Sequence, residues 1–485
     1  MSFVIYDLIF LAIFIIATAV FLYRRRKKLD KEGLLYIYRT KVGIKFIDYI
    51  DTKYRKIVSA FKYPIIATGY VSMIVMTYFL VRIVYIYVKS PEVVRAIKIP
   101  PLAPLIPYLP SIFKVDFLPT FYFTYWIIVI AVIAISHEFA HGIFARLINV
   151  KIKSTGFGFL GPFLAAFVEP DEEEMKKKSV SDQLAVIGAG SFANIIMTII
   201  FFIILVLFSA YAFIPAGFIF NTYASTIVNV SDIDEVGNFE LGKISLSEIE
   251  KKSQDEIGVY LSTYRNFTRV VVDGKTYYIN FDQLKLSLKE DYDAWIVYYD
   301  TPALQSGLRG VITNIDGENI KSYGDLSGVL SAKKPRDKIT IKTLDVENKE
   351  ELEFEIVLAE NPQNNERGFI GVSSIAEPST GIRGMLRKIF SYFREPNTYY
   401  KPRINGDFIE FIFYLIWWIV LINISVALVN MLPLGIFDGG RFFYLTMFAV
   451  TKNEKRSAQL FRAATTLILA LFLVMMLFWA IYFFS

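Results

Sequence analysis

Six long apolar stretches set what this chain can fold into. They run roughly from Phe3 to Tyr23, Pro64 to Val88, Thr120 to Ile148, Leu184 to Phe213, Phe408 to Leu434 and Leu460 to Phe484. A helix needs about 20 apolar residues to cross a bilayer core. Inside lipid only helices and closed barrels satisfy their own backbone groups. Each stretch therefore predicts a transmembrane helix. Composition agrees, with 54% of the 485 residues hydrophobic, against about 45–50% apolar in an ordinary soluble domain. The first stretch has the length of a signal peptide. However, Arg24-Arg-Arg-Lys-Lys28 follows it and no small-residue cleavage site does, so it reads as an anchor.

Lys and Arg beside the spans set the orientation. Residues 24–62 hold thirteen of them against four acidic residues, which places that loop in the cytoplasm and the N-terminus outside. Alternation then puts 149–183 and 440–458 inside and 214–406 outside. Lys151, Lys153, Lys176-Lys177-Lys178, Lys452, Lys455, Arg456 and Arg462 agree. Arg383, Arg387, Lys388, Arg394, Lys401 and Arg403 count the other way, beyond a folded domain where the rule weakens. The net charge of +6 lies in these blocks, which suit the anionic headgroups of a lipid bilayer. No basic-aromatic nucleic-acid motif accompanies them, so no nucleic-acid partner is expected. The expected setting is multi-pass, in the cell membrane.

The polar insert between the fourth and fifth spans reads as a soluble α+β domain. Arg269-Val-Val-Val-Asp273 and Lys338-Ile-Thr-Ile-Lys342 alternate as strands do, and Asp273-Gly274 and Asp316-Gly317 mark turns. Asn229-Val-Ser231 and Asn266-Phe-Thr268 match the N-glycosylation acceptor pattern and fit an outside location.

The chemistry concentrates at His137 and His141, the only two histidines, in Ser136-His-Glu-Phe-Ala-His141 within the third span. Residues four apart share one helix face, so both imidazoles can reach one Zn²⁺ while Glu138 addresses a metal-bound water. There is no cysteine, so a third ligand must be Asp or Glu. The best candidate is Asp438, in Asn430-Met-Leu-Pro433-Leu-Gly-Ile-Phe-Asp438-Gly439-Gly440 at the end of the fifth span. Pro433 breaks that helix and the glycines free the backbone to turn. Asp171-Glu-Glu-Glu174 followed by Lys176-Lys-Lys178 reads as a solvated face. Residues 151–168 are too short and Gly-rich for a span; they predict a β-hairpin dipping back beside the metal. Gly156, Gly158 and Gly161 would let a substrate backbone approach its edge, and Pro162 limits that edge.

His137-Glu138-x-x-His141 in one membrane helix, with Asn430-x-x-Pro433-x-x-x-x-Asp438-Gly439 in a later one, resembles the site-2 protease family of intramembrane zinc metalloproteases. Gly190-Ser-Phe-Ala-Asn194 resembles the family's G-x-x-x-N element. Thr301-Pro302-Ala-Leu-Gln-Ser-Gly307-Leu308, followed by Val311-Ile-Thr-Asn-Ile-Asp-Gly317, resembles the PDZ domain many members carry. The likeness covers roughly 120–215 and 300–450. It departs at Gly310-Val311, where an acidic residue is missing, and 221–293 does not align with a simple PDZ core. The first two spans lie outside the family core.

The resemblance implies a polytopic α-helical membrane protein with about six transmembrane helices and an inserted extracytoplasmic α+β PDZ-like domain. His137, His141 and Asp438 would bind one catalytic Zn²⁺, and Glu138 would be the general base. Asn430 and Asn194 would orient the substrate carbonyl or stabilise the oxyanion. The partners implied are transmembrane protein substrates and a peptide ligand of the PDZ-like domain. The expected organisation is 1–118, a two-helix region with a basic loop; 119–213, the first half of the catalytic core; 214–380, the PDZ-like domain; 381–406, a juxtamembrane linker; and 407–485, the second half of the core. The alternatives are a catalytically inactive membrane scaffold, against which the intact Glu138 and ligand set argues, and a zinc transporter or sensor, for which several intramembrane ligand clusters would be expected.

Overall fold

The computed structural model describes residues 3–33, 35–90, 94–95, 105–113, 118–160, 163–240, 245–253, 260–261, 264–290, 292–346, 348–361, 364–374, 394–404 and 406–484. The chain divides into two units, one of residues 1–208 with 410–485 and one of residues 209–409. Six helices are long and apolar enough to cross a membrane.

In the first unit these are α1 (Phe3–Arg25), α3 (Lys62–Lys89), α4 (Phe123–Leu147), α5 (Val180–Ala212), α6 (Gly406–Val429) and α8 (Glu454–Phe484). Among the shorter helices are α2 (Ile44–Ala60) and α7 (Asp438–Thr451). The fifth span was expected to reach Leu434 and instead stops at Val429. Pro433 cannot donate to a helix, and the chain turns back so that Gly439 N–H donates to Asn430 O at 2.8 Å. A side chain on Gly439 would run into Met431 and Leu432 backbone, so glycine is required there. Asp438 consequently opens a new helix, α7, instead of closing the fifth span.

The expected hairpin is present, as β3 (Ile152–Leu160) paired antiparallel with β4 (Phe163–Pro170). Gly161 and Pro162 lie outside the described residues. Two strands in the basic loop were not anticipated, β1 (Leu29–Glu32) and β2 (Leu35–Thr40). They extend the sheet to the order β1-β2-β3-β4. The expectation that the glycines of β3 admit a substrate is therefore corrected. Tyr38 pairs with Phe157 and Arg39 with Gly156, and a side chain on Gly156 would strike the Tyr38 carbonyl and the Phe167 ring. The close approach belongs to β2, and among the described residues the edge left without a strand partner near the histidines is that of β4. Arg39 ties the sheet together through Asp30 at 2.5 Å and Glu169 at 3.2 Å.

α2 is amphipathic. Ile47 is fully buried with Phe144 and Ala145 of α4, while Ile44 and Val58 pack around them. Lys45, Lys53 and Lys56 remain on the exposed side.

The second unit contains two main sheets. One has seven strands in the order Ser225–Asn229, Ala294–Tyr299, Lys275–Asn280, Tyr264–Val272, Ile233–Val236, Phe239–Glu240, with Tyr260–Leu261 paired to Tyr264–Val272. This explains why 221–293 resisted alignment: it is a sheet in its own right, with its own core around Val270, Ile279 and Trp295. The other has six strands in the order Glu350–Val357, Lys338–Asp345, Val311–Ile315, Phe213–Phe218, Thr398–Pro402, with Glu318–Asn319 paired to Val311–Ile315. Both Asp-Gly turns form two-residue hairpins: φ is 49° and 70° at Asp273 and Gly274, and 49° and 90° at Asp316 and Gly317. Such mirror-image turns match the twist of paired strands. Residues 375–393, including Arg383, Arg387, Lys388 and the start of the expected linker, lie outside the described residues. The later part of that linker is the edge strand Thr398–Pro402.

A candidate metal centre

α4 is 25 residues long and carries His137 and His141 on one face. Three donor atoms meet beside it. His137 Nε2 lies 3.1 Å from Asp438 Oδ2 and 3.1 Å from His141 Nε2, and His141 Nε2 lies 3.2 Å from Asp438 Oδ2. These distances fit a metal. A tetrahedral Zn²⁺ with bonds of about 2.0–2.1 Å sets neighbouring donors about 3.3–3.4 Å apart. Two imidazole nitrogens and one carboxylate are also a borderline-soft donor set suited to zinc.

Each ring is oriented from behind. His141 Nδ1–H donates to Val186 O of α5 at 2.7 Å, which leaves the Nε2 lone pair facing the triangle. The Asn194 amide lies 3.2 Å from His137 Nδ1. The facing atom is Nδ2, and amide O and N exchange by a flip; with Oδ1 toward the ring Asn194 would accept the Nδ1–H and leave the Nε2 lone pair free for a metal. Asn194 is fully buried and sits on the ring edge away from the triangle. The structure thus places it at the Nδ1 edge of His137, opposite the Nε2 that faces Asp438 and His141. Asn430 is at the front: its Nδ2 donates to Asp438 Oδ2 at 2.8 Å and lies 3.2 Å from His137 Nε2.

Glu138 stands apart from the triangle. Its Oε2 accepts the Val168 N–H of β4 at 3.0 Å, so the carboxylate is held by the sheet. Sequence reasoning missed this backbone donor and the Val186 carbonyl, because neither has a side-chain signature. Gly190 was noticed only as part of a motif. A Cβ there would collide with His141 Nε2 and with His137 Cε1 and Nε2, so only glycine lets α5 pass this close.

Fold and donor set together point to a multi-pass membrane protein with a His-His-Asp group that could hold a metal ion. The chain belongs to peptidase family M50, the site-2 protease family, whose model matches residues 125–476. That family is generally zinc-dependent. A comparison with curated proteins finds no match. The family match begins inside α4, so α1 to α3 and the strands β1 and β2 precede it.

Proposed function

We propose that this protein is an intramembrane zinc metalloendopeptidase that hydrolyses peptide bonds within or near transmembrane helices of other membrane proteins. The observation that carries the reading is the triangle of His137, His141 and Asp438 donors with Glu138 beside it and outside it. Those three residues would hold one Zn²⁺, which when bound polarises a peptide carbonyl and makes water acidic near neutral pH. Glu138 takes a proton from the attacking water and delivers it to the leaving amine. The Val168 N–H fixes the direction in which that carboxylate points. Asn430 presents its amide N–H beside the triangle, where a carbonyl oxygen gaining charge needs a donor. Asn194 and Val186 O keep the two imidazoles in the tautomer that ligation requires.

A helical peptide bond must unwind before it can be cut, and its freed groups need partners in a dry site. The outer edge of β4 supplies them. Val168 N–H already points to Glu138, and strand alternation sends the Ala166 N–H the same way. A substrate segment laid along β4 therefore passes the base. Following the charge rule, the site lies toward the cytoplasm and residues 214–406 lie outside. In the outer unit a groove of about 460 Å³ runs between the helix Tyr323–Ser331 and the segment Gly368–Ser374, lined by Leu326, Leu330 and Ile370. We assign it a PDZ-like role in holding a peptide and filtering substrates.

The test is zinc content together with cleavage of a model transmembrane peptide by the purified chain. Glu138→Gln should keep one zinc and lose about 10²–10⁴-fold in rate. Full activity in Glu138→Gln refutes the assignment, and a zinc-loaded wild type that cuts nothing favours the scaffold.

A further inference from the structure

A carboxylate inside a membrane helix is expensive and needs named partners. Asp7 is the one buried residue of α1, at 1% exposure. Its Oδ2 accepts from Phe123 N at 2.7 Å and Tyr108 Oη at 2.5 Å, and its Oδ1 accepts from Thr124 N at 2.8 Å and Thr124 Oγ1 at 2.5 Å. Phe123 and Thr124 are the first residues of α4, whose own N-cap, Tyr122, offers no side-chain bond. Asp7 therefore does from another helix what an N-cap aspartate does locally: it satisfies orphan N–H groups and places negative charge at the positive end of the helix dipole.

The other end of α4 is held in the same manner by α2. Arg55 Nη2 donates to Leu147 O, the last residue of α4, at 2.5 Å and to Asn149 Oδ1 at 3.2 Å. Asp51 grips the same guanidinium at 2.8 and 2.9 Å. Arg146 of α4 pairs with Asp48 of α2 at 2.7 Å. Here a cation meets the negative end of the dipole. Contact continues to the metal-binding turn itself, where a side chain on Gly142 would meet Ile47 at 2.7 Å.

We infer that Asp7, and Asp48 and Arg55 of α2, are positioning residues that clamp α4 at both ends and set its place along its own axis. Lipid tails are as apolar as leucine, so apolar packing does little to stop a helix sliding in a bilayer. Polar contacts at the ends do stop it. Ligand distances tolerate only about 0.2 Å of error, so a small slide of α4 separates His137 and His141 from Asp438. None of the clamping residues falls within the family-matched region, which begins at residue 125, except Arg146 on α4 itself. The inference rests on the metal-site reading given above.

The test compares Zn²⁺ and Co²⁺ affinity, the Co²⁺ absorption spectrum, kcat and KM in the full-length chain in lipid nanodiscs. Asp7→Asn and Arg55→Gln should each weaken metal affinity by about five- to tenfold, shift the Co²⁺ spectrum, and lower kcat with KM unchanged. Arg55→Lys should recover part of the loss. A folded Asp7→Asn, Arg55→Gln double variant with wild-type affinity and spectrum overturns the inference. Should Asp7 variants fail to fold, Tyr122→Asp in an Asp7→Ala chain supplies a local cap. Restored folding with metal affinity still reduced supports the clamp, and full recovery of affinity overturns it. A wild type that binds metal yet cuts nothing refutes the hydrolase reading alone, because the affinity comparison still stands.

Discussion

Replacing Gly190 by alanine adds one carbon atom against the two histidine rings of the donor triangle. Its Cβ would overlap His141 Nε2, His137 Nε2 and His137 Cε1. With a metal holding their Nε2 atoms, and Val186 O and the Asn194 amide holding their far edges, these rings could not swing aside. Inserting a carbon into a filled site costs about 1–3 kcal/mol. In a helix, alanine returns about 1 kcal/mol relative to glycine. The metal-free protein should therefore change in stability by only about 1 kcal/mol or less, since its histidines can rotate away from the added carbon when no metal holds them together. The metal-bound state has no such freedom and bears the whole overlap. At 1.4 kcal/mol per decade this is about a 5- to 150-fold loss of Zn²⁺ affinity. Chelator-buffered zinc titration of the purified full chain measures it, with thermal melting in excess chelator as the control. Affinity within about twofold of wild type, in a folded Gly190→Ala protein, would show that α5 does not pass the site as described.

Other substitutions examine other links. Ala166→Pro removes an outward N–H from β4 without touching a ligand, so peptide cleavage should fall while zinc content stays normal; unchanged cleavage would reject strand addition there. In this cysteine-free chain, Lys321→Cys, at an exposed position of the second unit, should react with an impermeant maleimide in intact cells if that unit lies outside as proposed, and labelling only after permeabilisation would invert the topology. Ile320 beside it is 1% exposed and would be a poor reporter. The Lys333 ammonium and the Thr340 N–H hold the Asp316 carboxyl below its ordinary pKa. Its ionised form thus stabilises the fold above the unfolded value of about 4, and that contribution is lost as pH falls below it. Hydrogen-exchange protection of residues 311–345 should drop through this acid range, and Asp316→Asn should flatten the drop and lower protection at neutral pH.

What could be read in the sequence follows from how local each signal is. The spans were legible because twenty apolar residues need no partner to betray them. Both Asp-Gly hairpins were legible because the turn itself demands those residues. The histidine and aspartate motifs were legible as chemistry, although not that Asp438 begins a helix, which depends on the packing of Gly439 against Met431. β1 and β2 were hidden because Leu29-Asp-Lys-Glu32 has no strand character alone and pairs, among the described residues, only with β2, which in turn lies against β3 more than a hundred residues away. α2 left a clear apolar period at Ile44, Ile47 and Val58 that its lysines masked. Asp7 left a signal too, a lone carboxylate in an apolar run, but its partners are about a hundred residues away. The seven-stranded sheet joins Ser225–Asn229 to Ala294–Tyr299, a pairing that no local window shows.

The four-stranded sheet beside the histidines has two unlike margins. β1 reads Leu-Asp-Lys-Glu, short and three-quarters charged, which resists the docking of another strand. β4 reads Phe-Leu-Ala-Ala-Phe-Val over residues 163–168, with nothing to repel a neighbour. In a crowded bilayer, a sheet open on both sides could link copy to copy into a growing ribbon. Closing one margin with charge makes the sheet a terminus, so under the proposed strand addition each chain would receive a single extended guest, on the side that faces Glu138.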